Sequence, residues 1–464
     1  MMRKIVVGFV AGLVLAARTF GADTTKPNIV MLLADDLGYH DVSFNGRKEW
    51  ATPNMDKLGA EGTIYHRWYT GAVICGPSRA ALMTGRYSIH NGVLGNGSYD
   101  LPSAEVTIAE ALKGKGYATG LFGKWHAQAK RPGTATWTHP MDQGFDEFFG
   151  YTNATKAWQK FPKELWDGRK EVPVKGYADT LFTDRAIDFM TRHKSEPFFL
   201  YLPFIAPHGL QEAPPEDIAE HVGFKEKDPA HPYNAIYAAQ ITRMDKEVGR
   251  VMKALDDLGL TDNTLVVFSS DHGATFETME HGATNYHDSN YPFRGQKRTL
   301  WEGGTRVPGI VRWPGHVPAG KESEEIIHMI DLFPTFCAAA GFAPDPAWKV
   351  DGVNELETFE GKAPSPKRTM FWEWDESGAK YLAALHGNMK MMMDGGNRPE
   401  LYDVVNDPAE RRDISAEYPE ITKKLHAELE AWLATTSEAA KQSQQHAANK
   451  KPKIAADGHS TADE

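Results

Sequence analysis

The chain has 464 residues, 41% of them hydrophobic and 24% charged, which is enough for one large globular domain and a smaller one. Its formal net charge of −11 at pH 7 argues against nucleic acid as a partner, because a phosphate backbone favours basic proteins. If the substrate is an anion, its site must therefore be a local basic pocket on an acidic protein.

The first 22 residues are typical of a secretory signal peptide. Arg3 and Lys4 precede an apolar run over 5–17, which small residues follow through Gly21 and Ala22. The run is too short to span a membrane in the mature protein, so we expect a periplasmic or secreted protein with no stable membrane span, and an uncleaved anchor is the alternative. Residues 1–22 carry three basic residues and no acid, so cleavage would lower the net charge from −11 to −14.

The chain contains two cysteines, Cys75 and Cys337. An exported protein of this size without a disulfide framework resembles a bacterial one, and we expect its hydrophobic core to stabilise it in place of disulfides. The apolar surroundings of Cys337 over 332–341 predict a buried helix that ends at Gly341.

Short continuous apolar runs predict strands that are buried on both faces of a parallel sheet. They cover residues 28–34, 117–122, 198–205 and 264–269. Helical patterns lie between them, over 107–113 and about 235–258. This alternation predicts an open α/β sheet that binds its ligands at the carboxyl ends of its strands.

Polar residues directly follow each of the four predicted strands. They are Asp35 and Asp36 after the first, Lys124 and His126 after the second, His208 after the third, and Asp271 and His272 after the fourth. Taken singly, such a carboxylate could lie in a solvated turn, such a histidine in the core and such a lysine on the surface. Because the carboxyl ends of parallel strands share one edge, we expect these side chains to converge.

Cys75 is predicted to begin a helix. Pro77 fits the first turn of that helix, and Gly85 fits the left-handed residue just past its end. The free N–H groups at the helix start would stabilise an anion or oxyanion on residue 75, and Arg79, one turn later, adds a positive charge on the same face. Spacing alone leaves open a second reading, in which Cys75 is simply a buried cysteine.

The residues from Cys75 to Arg79, Cys-Gly-Pro-Ser-Arg, continue as Leu-Met-Thr-Gly-Arg over 82–86. Together they resemble the signature of the type I sulfatases, a family of the alkaline phosphatase superfamily. The resemblance implies an α/β fold with a large mixed, mostly parallel sheet flanked by helices. It also implies that a formylglycine-generating enzyme oxidises Cys75 to formylglycine, whose hydrated aldehyde is the nucleophile of two-step covalent catalysis.

The resemblance extends over about 26–414 and implies a cation site. Four positions match the family's ligands to a divalent cation, usually calcium, beside the formylglycine at Cys75: Asp35, Asp36, Asp271 and His272. A carboxylate-rich set suits calcium or magnesium. Many relatives have Asn in place of His272, and an imidazole is a softer ligand, so magnesium or another divalent cation stays open.

The same resemblance implies roles for the basic residues. Arg79 and Lys124 would hold the formylglycine, and His126 would act as the base. His208 and Lys297 would touch the sulfate and protonate the leaving alcohol, and Lys124 would also contact substrate. Lys297 lies in a second family-like block over 291–308, in which Arg306 is expected to be structural. The chain departs from the family at 127–128 and 209–211, which points to substrate choice.

The composition changes after residue 343. We predict a catalytic domain over 23–343, a C-terminal subdomain over 344–436 and a disordered tail over 437–464. Strand patterns over 369–374, 381–386, 389–393 and 400–404, with a helix over 419–433, predict a small antiparallel sheet plus a helix.

Substrate recognition is predicted from side chains near the motifs. The candidates for the pocket wall are Asn96, Tyr99, Asp100, Trp158, His281, His287, Asp288, Arg294 and Trp301. Arg294 and Trp301 are the preferred substrate-binding pair, because an aromatic ring can stack on a sugar and an arginine can bind its anionic groups. Loop packing and surface charge are the alternative for each.

We therefore expect a sulfuric ester hydrolase that acts on a sulfated glycan or oligosaccharide. An arylsulfatase is the nearest alternative, followed by a phosphoester or phosphonate monoester hydrolase of the same superfamily. A non-catalytic binder of sulfated glycan is the alternative from another class, and it would apply if Cys75 is never matured.

Overall fold

The structure, a computed structural model, describes residues 26–96, 101–127, 138–154, 156–225, 233–376, 379–395 and 398–449. The predicted signal peptide over 1–22 and two predicted wall residues, Tyr99 and Asp100, lie outside this part of the chain. No helix within the described ranges is both long and apolar enough to cross a membrane.

A large mixed sheet forms the centre of the molecule. Its strands are Asn28–Asp35 (β1), Thr63–Tyr69 (β2), Ala118–Lys124 (β3), Glu147–Tyr151 (β4), Glu164–Asp167 (β5), Lys170–Pro173 (β6), Phe198–Pro207 (β7), Thr264–Ser270 (β8), Arg306–Val307 (β9), Gly309–Arg312 (β10) and Lys321–His328 (β11). They are ordered β11-β2-β10-β8-β1-β7-β3-β4-β5-β6, with β9 beside β2. The central strands β8, β1, β7, β3 and β4 run parallel, so their carboxyl ends share one edge.

Helices cover both faces of the sheet. In chain order, the helices of the described residues, including those outside the large sheet, are Pro53–Ala60 (α1), Cys75–Thr84 (α2), Ser88–Asn91 (α3), Ile108–Lys113 (α4), Ala178–Arg192 (α5), Pro215–Ala219 (α6), Tyr233–Asp257 (α7), Ala283–Tyr286 (α8), Glu302–Thr305 (α9), Leu332–Ala339 (α10), Leu356–Phe359 (α11), Pro419–Leu433 (α12) and Glu438–Asn449 (α13). Alternate residues of β1 pack into two cores, Val30 with α5 and α7, and Met31 with α2 and α10. This two-sided burial explains why β1 is apolar throughout. The predicted fold class is confirmed.

A second, four-stranded antiparallel sheet lies near the C-terminus. It consists of Thr369–Glu376 (β12), Ala379–His386 (β13), Met389–Met393 (β14) and Glu400–Asp403 (β15), paired in that order. Helix α12 covers it with Leu425, Leu429 and Trp432, and the Trp432 ring stacks on Phe371 at a centroid distance of 5.2 Å. The predicted sheet and helix are therefore present.

The structure also bears on two predictions that concern residues outside the site. Cys337 is fully buried in α10, as expected. The prediction of a disordered tail is wrong over its first part, because α13 occupies Glu438–Asn449. Ala440 and Ser443 are buried, and an added Cβ on Gly92 would come within 2.8 Å of the Ala439 Cβ, so the missing side chain of Gly92 allows α13 to pack closely. The rest of the tail lies outside the described residues.

Candidate active site

Cys75 lies at the first position of α2, and 1% of its surface is exposed. Ile74 precedes it in an extended conformation, and Gly85 ends the helix at φ 64°, as the sequence predicts. The backbone N–H of Gly76 donates to Asn96 Oδ1 at 3.0 Å. Residue 75 thus sits on the positive end of a helix and is shielded from solvent.

The polar residues that follow the central strands do converge. Asp35 ends β1, Lys124 ends β3, and His208 and Asp271 directly follow β7 and β8. Asp36 and His126 adopt positive φ angles of 63° and 49°, which redirect the chain after β1 and β3. All of these side chains are buried. Parallel strand order therefore builds one polar centre out of four distant segments.

One side of this centre is a set of potential cation ligands. His272 Nε2 lies 3.2 Å from Cys75 Sγ and 3.3 Å from Asp36 Oδ1, and Asp271 Oδ1 lies 3.6 Å from the same nitrogen. The ligand atoms of these four residues lie within 4.8 Å of one another, and Asp35 and His208 form an overlapping group with Asp36 and Cys75. Carboxylates gathered around one imidazole fit a divalent cation.

The electrostatics of this set also favour a cation. Burial raises the pKa of Asp271 to about 7 and also raises the pKa of Asp36, against the opposing effect of nearby basic groups. Burial alone would lower the pKa of His272, but Asp271 and Asp36 raise it to about 9. A bound cation would replace these protons and neutralise the carboxylates.

Arg79 and Lys124 form a basic frame beneath the set. Arg79 Nη2 donates to Asp35 Oδ1 at 2.9 Å and its Nε to Asp271 Oδ2 at 3.0 Å, while Lys124 Nζ lies 2.8 Å from Asp35 Oδ2. Burial would raise the pKa of Asp35, but Lys124, His208 and Arg79 together hold it well below its usual value. Burial also opposes ionisation of Cys75, yet Lys124 and Lys297 hold the pKa of its thiol well below the usual value. The positive charges of Lys124 and Lys297 therefore favour an anion at residue 75.

The sequence profile of the family described as Sulfatase matches residues 27–342, and that of N-sulphoglucosamine sulphohydrolase, C-terminal, matches residues 293–435. The chain belongs to the sulfatase family. This sulfatase is 35% identical over 362 residues to N-acetylgalactosamine-6-sulfatase of Mus musculus, covering 72% of this chain and 66% of that protein. The Homo sapiens protein of that name is 31% identical over 459 residues, covering 86% and 84%.

Solved structures agree with this assignment. The crystal structure of Ps i-CgsB superposes with a TM-score of 0.83 at 31% identity, covering 92% of this chain and 98% of that one. Phosphonate monoester hydrolase of Agrobacterium radiobacter, at a TM-score of 0.65 and 22% identity, shares the fold. As a member of the sulfatase family, this protein is a sulfuric ester hydrolase.

His208 and Lys297 face the cation ligands from the opposite side of the sulfatase centre. Lys297 Nζ lies 3.0 Å from Asp36 Oδ2 and 3.2 Å from His208 Nε2, and His208 Nδ1 lies 3.1 Å from Asp35 Oδ2. Burial would lower the pKa of His208, but Asp36 and Asp35 raise it to about 10. His208 is therefore protonated at neutral pH, as a general acid must be.

His126 differs from His208 in its charge. It is buried, its Nδ1 has no hydrogen-bond partner among the described residues, and its ring interacts with Cys75. Burial lowers the pKa of His126 to about 4. The ring is therefore neutral at neutral pH and can accept a proton from a group on residue 75.

Two polar residues of the site were missed by the sequence analysis. Glu277 lies 3.3 Å from Lys297 Nζ and 3.5 Å from His208 Nε2. Lys160 is fully buried and donates to the carbonyls of Ile205 and His208, each at 2.5 Å. Neither stands in a recognisable motif, so only the tertiary contacts reveal them.

The predicted wall residues differ in how much of each side chain solvent can reach. Asn96 lies beside Gly76, and half-buried Trp158 packs its backbone on the loop after His208, where Leu210 N donates to Trp158 O at 3.2 Å. His281 and Asp288 are exposed, whereas His287 is buried. Arg294 is exposed and stacks 3.7 Å above the Trp301 ring. Trp301 is only 8% exposed and packs on Tyr402 in β15, which leaves little of its ring for a sugar.

Proposed function

We propose that this sulfatase removes sulfate from a sulfated carbohydrate, with a formylglycine at residue 75 as nucleophile and a divalent cation beside it. The observation that carries the proposal is the position of Cys75, which begins a buried helix 3.2 Å from His272 and 3.8 Å from Asp36. A structural cysteine would not need a surrounding of three carboxylates, three histidines, two lysines and an arginine.

The proposed cation ligands are Asp35, Asp36, Asp271, His272 and the group on residue 75. His272 Nδ1 lies 3.0 Å from the carbonyl of Gly273, which only accepts hydrogen bonds, so this contact turns Nε2 towards the carboxylates. A cation held there would neutralise negative charge on a bound sulfate group. Calcium is the proposed ion because the set is rich in carboxylates, with magnesium or another divalent cation as the alternative.

The proposed nucleophile requires maturation of Cys75 by a formylglycine-generating enzyme. A hydrated formylglycine supplies one hydroxyl for attack on sulfur and a second through which sulfate can be released. Arg79 and Lys124 keep Asp35 ionised and in place, while neutral His126 takes the proton from residue 75. Each of these residues acts without moving far, because all are buried.

His208 and Lys297 are proposed to serve the leaving group. The charge of Lys297, paired with Asp36 and Glu277, adds a donor for sulfate oxygens, and His208 gives its proton to the departing alcohol. An alkoxide of a sugar is a poor leaving group, so this proton matters more for a sugar than for a phenol.

The carbohydrate class rests on the relatives and on the half-buried Trp158 near His208. Two relatives are named N-acetylgalactosamine-6-sulfatase, and Ps i-CgsB was crystallised in complex with k-i-k-neocarrahexaose. Arylsulfatase activity is the nearest alternative, and a phosphoester or phosphonate hydrolase shares the fold. A non-catalytic glycan binder would lack any use for the protonated His208.

The test is a substrate screen on protein co-expressed with a formylglycine-generating enzyme and supplied with calcium. The panel holds N-acetylgalactosamine 6-sulfate, oligosaccharides that carry it, k-i-k-neocarrahexaose, 4-nitrophenyl sulfate and phenyl phosphonate monoesters. We expect sulfate release with a kcat/KM for a sulfated sugar at least about tenfold above that for 4-nitrophenyl sulfate, and none from Cys75→Ala. Turnover of the phenolic sulfate alone would replace the carbohydrate assignment, and equal activity of Cys75→Ala would overturn the nucleophile.

A further inference from the structure

A recess with a volume of about 330 Å³ lies at the loop that follows Asp36. Two loops supply most of its lining, one following Asp36 and the other lying between His272 and Lys297, and Phe224 adds a third segment. Its lining includes His40, Arg47 and Glu49 from the first loop and Tyr286, Asp288 and Tyr291 from the second. The loops join where His40 N donates to Ser289 O at 2.9 Å. His40 is four residues from Asp36, so its Cα lies within roughly 14 Å of that cation ligand.

Arg47, the arginine that lines this recess, is held in place by its neighbours. Arg47 is buried; its Nε donates to His40 O at 2.9 Å, its Nη1 to Glu49 Oε2 at 3.1 Å and its Nη2 to His287 O at 2.5 Å. Its guanidinium also stacks 4.3 Å above the Trp50 ring. Burial and Arg47 lower the pKa of His40, which is therefore neutral at neutral pH. Among the described residues that line the recess, none presents an exposed cation to a sulfate or a carboxylate.

The groups that remain accessible are aromatic rings and carboxylates. Tyr291 is 59% exposed and Tyr286 42% exposed, although large aromatic side chains usually lie inside. The side chains of Glu49 and Asp288 are also exposed. Aromatic faces pack on the C–H faces of a sugar ring, and carboxylates accept hydrogen bonds from its hydroxyls. These carboxylates would repel an anionic sugar unit.

We propose that this recess is a subsite for an uncharged sugar unit of the substrate, a few residues along the glycan from the sulfated unit that is hydrolysed. The inference rests on the proposed carbohydrate substrate. It goes further because it makes the enzyme selective for an oligosaccharide in which an uncharged unit accompanies the sulfated one.

The test compares two substrates on four variants. The substrates are the sulfated oligosaccharide that the screen above finds to be turned over fastest and its sulfated monosaccharide unit. Tyr291→Ala removes a ring, Tyr291→Phe keeps it, and Asp288→Asn removes a charge while tolerating the φ of 49° at that position. Tyr418→Ala is the matched control, an exposed aromatic residue of the C-terminal subdomain that does not line the recess.

We expect Tyr291→Ala and Asp288→Asn each to raise KM for the oligosaccharide by about five- to tenfold with kcat unchanged, the loss of one packing or hydrogen-bonding contact. Tyr291→Phe and Tyr418→Ala should stay within about twofold of wild type, as should every variant on the monosaccharide. Equal KM changes on both substrates, or none, would overturn the subsite while leaving the sulfatase reaction intact. Failure of all sulfated sugars in the screen, with 4-nitrophenyl sulfate still hydrolysed, would instead overturn the carbohydrate substrate.

Discussion

His272 Nε2 lies 3.2 Å from Cys75 Sγ, while the other ring nitrogen of His272 lies 3.0 Å from the carbonyl of Gly273. The Gly273 contact fixes the orientation of the ring, so the free nitrogen is directed at residue 75 and at Asp36 and Asp271. Such an orientation is typical of a histidine that ligates a metal ion.

We predict that chelation will remove activity and that calcium will restore it. His272→Asn keeps an oxygen ligand and should lower kcat/KM by no more than about tenfold, whereas His272→Leu, which keeps the bulk, should weaken cation affinity by about 10- to 100-fold. The measurement is activity against calcium concentration after treatment with EDTA. Full activity of metal-free enzyme would contradict the proposed cation site.

Replacing His208 should make the loss of activity depend on the leaving group of the substrate. His208→Asn removes the acid, so kcat/KM for a sugar sulfate should fall by about 10²- to 10⁴-fold, with a much smaller loss for 4-nitrophenyl sulfate. Lys297→Met is the comparison, because a residue that binds sulfate oxygens should affect both substrates alike. If His208→Asn lost kcat/KM equally on the sugar sulfate and on 4-nitrophenyl sulfate, His208 would not be the general acid.

The pH dependence of kcat/KM should be bell-shaped. His126 has a pKa lowered to about 4 by burial, so the base is lost to protonation as the pH falls towards that value. Without a cation, Asp36 and Asp35 raise the pKa of His208 to about 10 against burial. A bound cation that neutralises these carboxylates would weaken this effect, so the alkaline limb, where the acid is lost, should lie below pH 10 in the cation-loaded enzyme. The profile of His208→Asn should lack the alkaline limb. A wild-type profile that stays flat through both limbs would contradict these assignments.

Lys160 should act as a positioning residue for His208. It donates to the carbonyls of Ile205 and His208, and burial lowers its pKa to about 8, so it still carries a proton at neutral pH. Lys160→Met keeps the length of the side chain but loses both hydrogen bonds. We expect kcat for a sugar sulfate to fall by about tenfold, because a small displacement of His208 from the leaving group weakens proton transfer.

The leaving-group dependence distinguishes positioning from a purely structural role. If Lys160 acts through His208, the loss in Lys160→Met is larger for the sugar sulfate than for 4-nitrophenyl sulfate, and KM changes little. The matched control is Asp179→Asn. In the wild type, Asp179 Oδ1 accepts a hydrogen bond from Ile205 N at 2.9 Å on the same segment, and no contact joins it to the His208 carbonyl. Equal losses of Lys160→Met on both substrates, with a lower melting temperature, would mean that Lys160 only stabilises the fold.

Much of the framework follows from local sequence patterns. The strand at Met389–Met393 and the helix at Pro419–Leu433 have the predicted bounds. Turn residues bound the strand on both sides, and a proline starts the amphipathic pattern of the helix, so both signals are local. The convergence of Asp35, Lys124 and Asp271 also follows, since parallel strands place their carboxyl ends together.

Other features arise only from contacts between distant segments. Glu277 and Lys160 are single polar residues in unremarkable stretches, and their partners lie 20 to 69 positions away for Glu277 and 45 to 48 for Lys160. Alanine is the apolar residue of helix α13, which is otherwise polar, so its composition predicts disorder, yet it packs beside Gly92. Trp301 sits in a family-like block, but the C-terminal sheet covers it.

The most direct measurement is peptide mass spectrometry of residue 75 in protein from a host that carries a formylglycine-generating enzyme. We predict that the Cys75 peptide has the mass of formylglycine or its hydrate, and that the modified fraction scales with the rate of sulfate release. An unmodified thiol in a preparation that releases sulfate at full rate would contradict it.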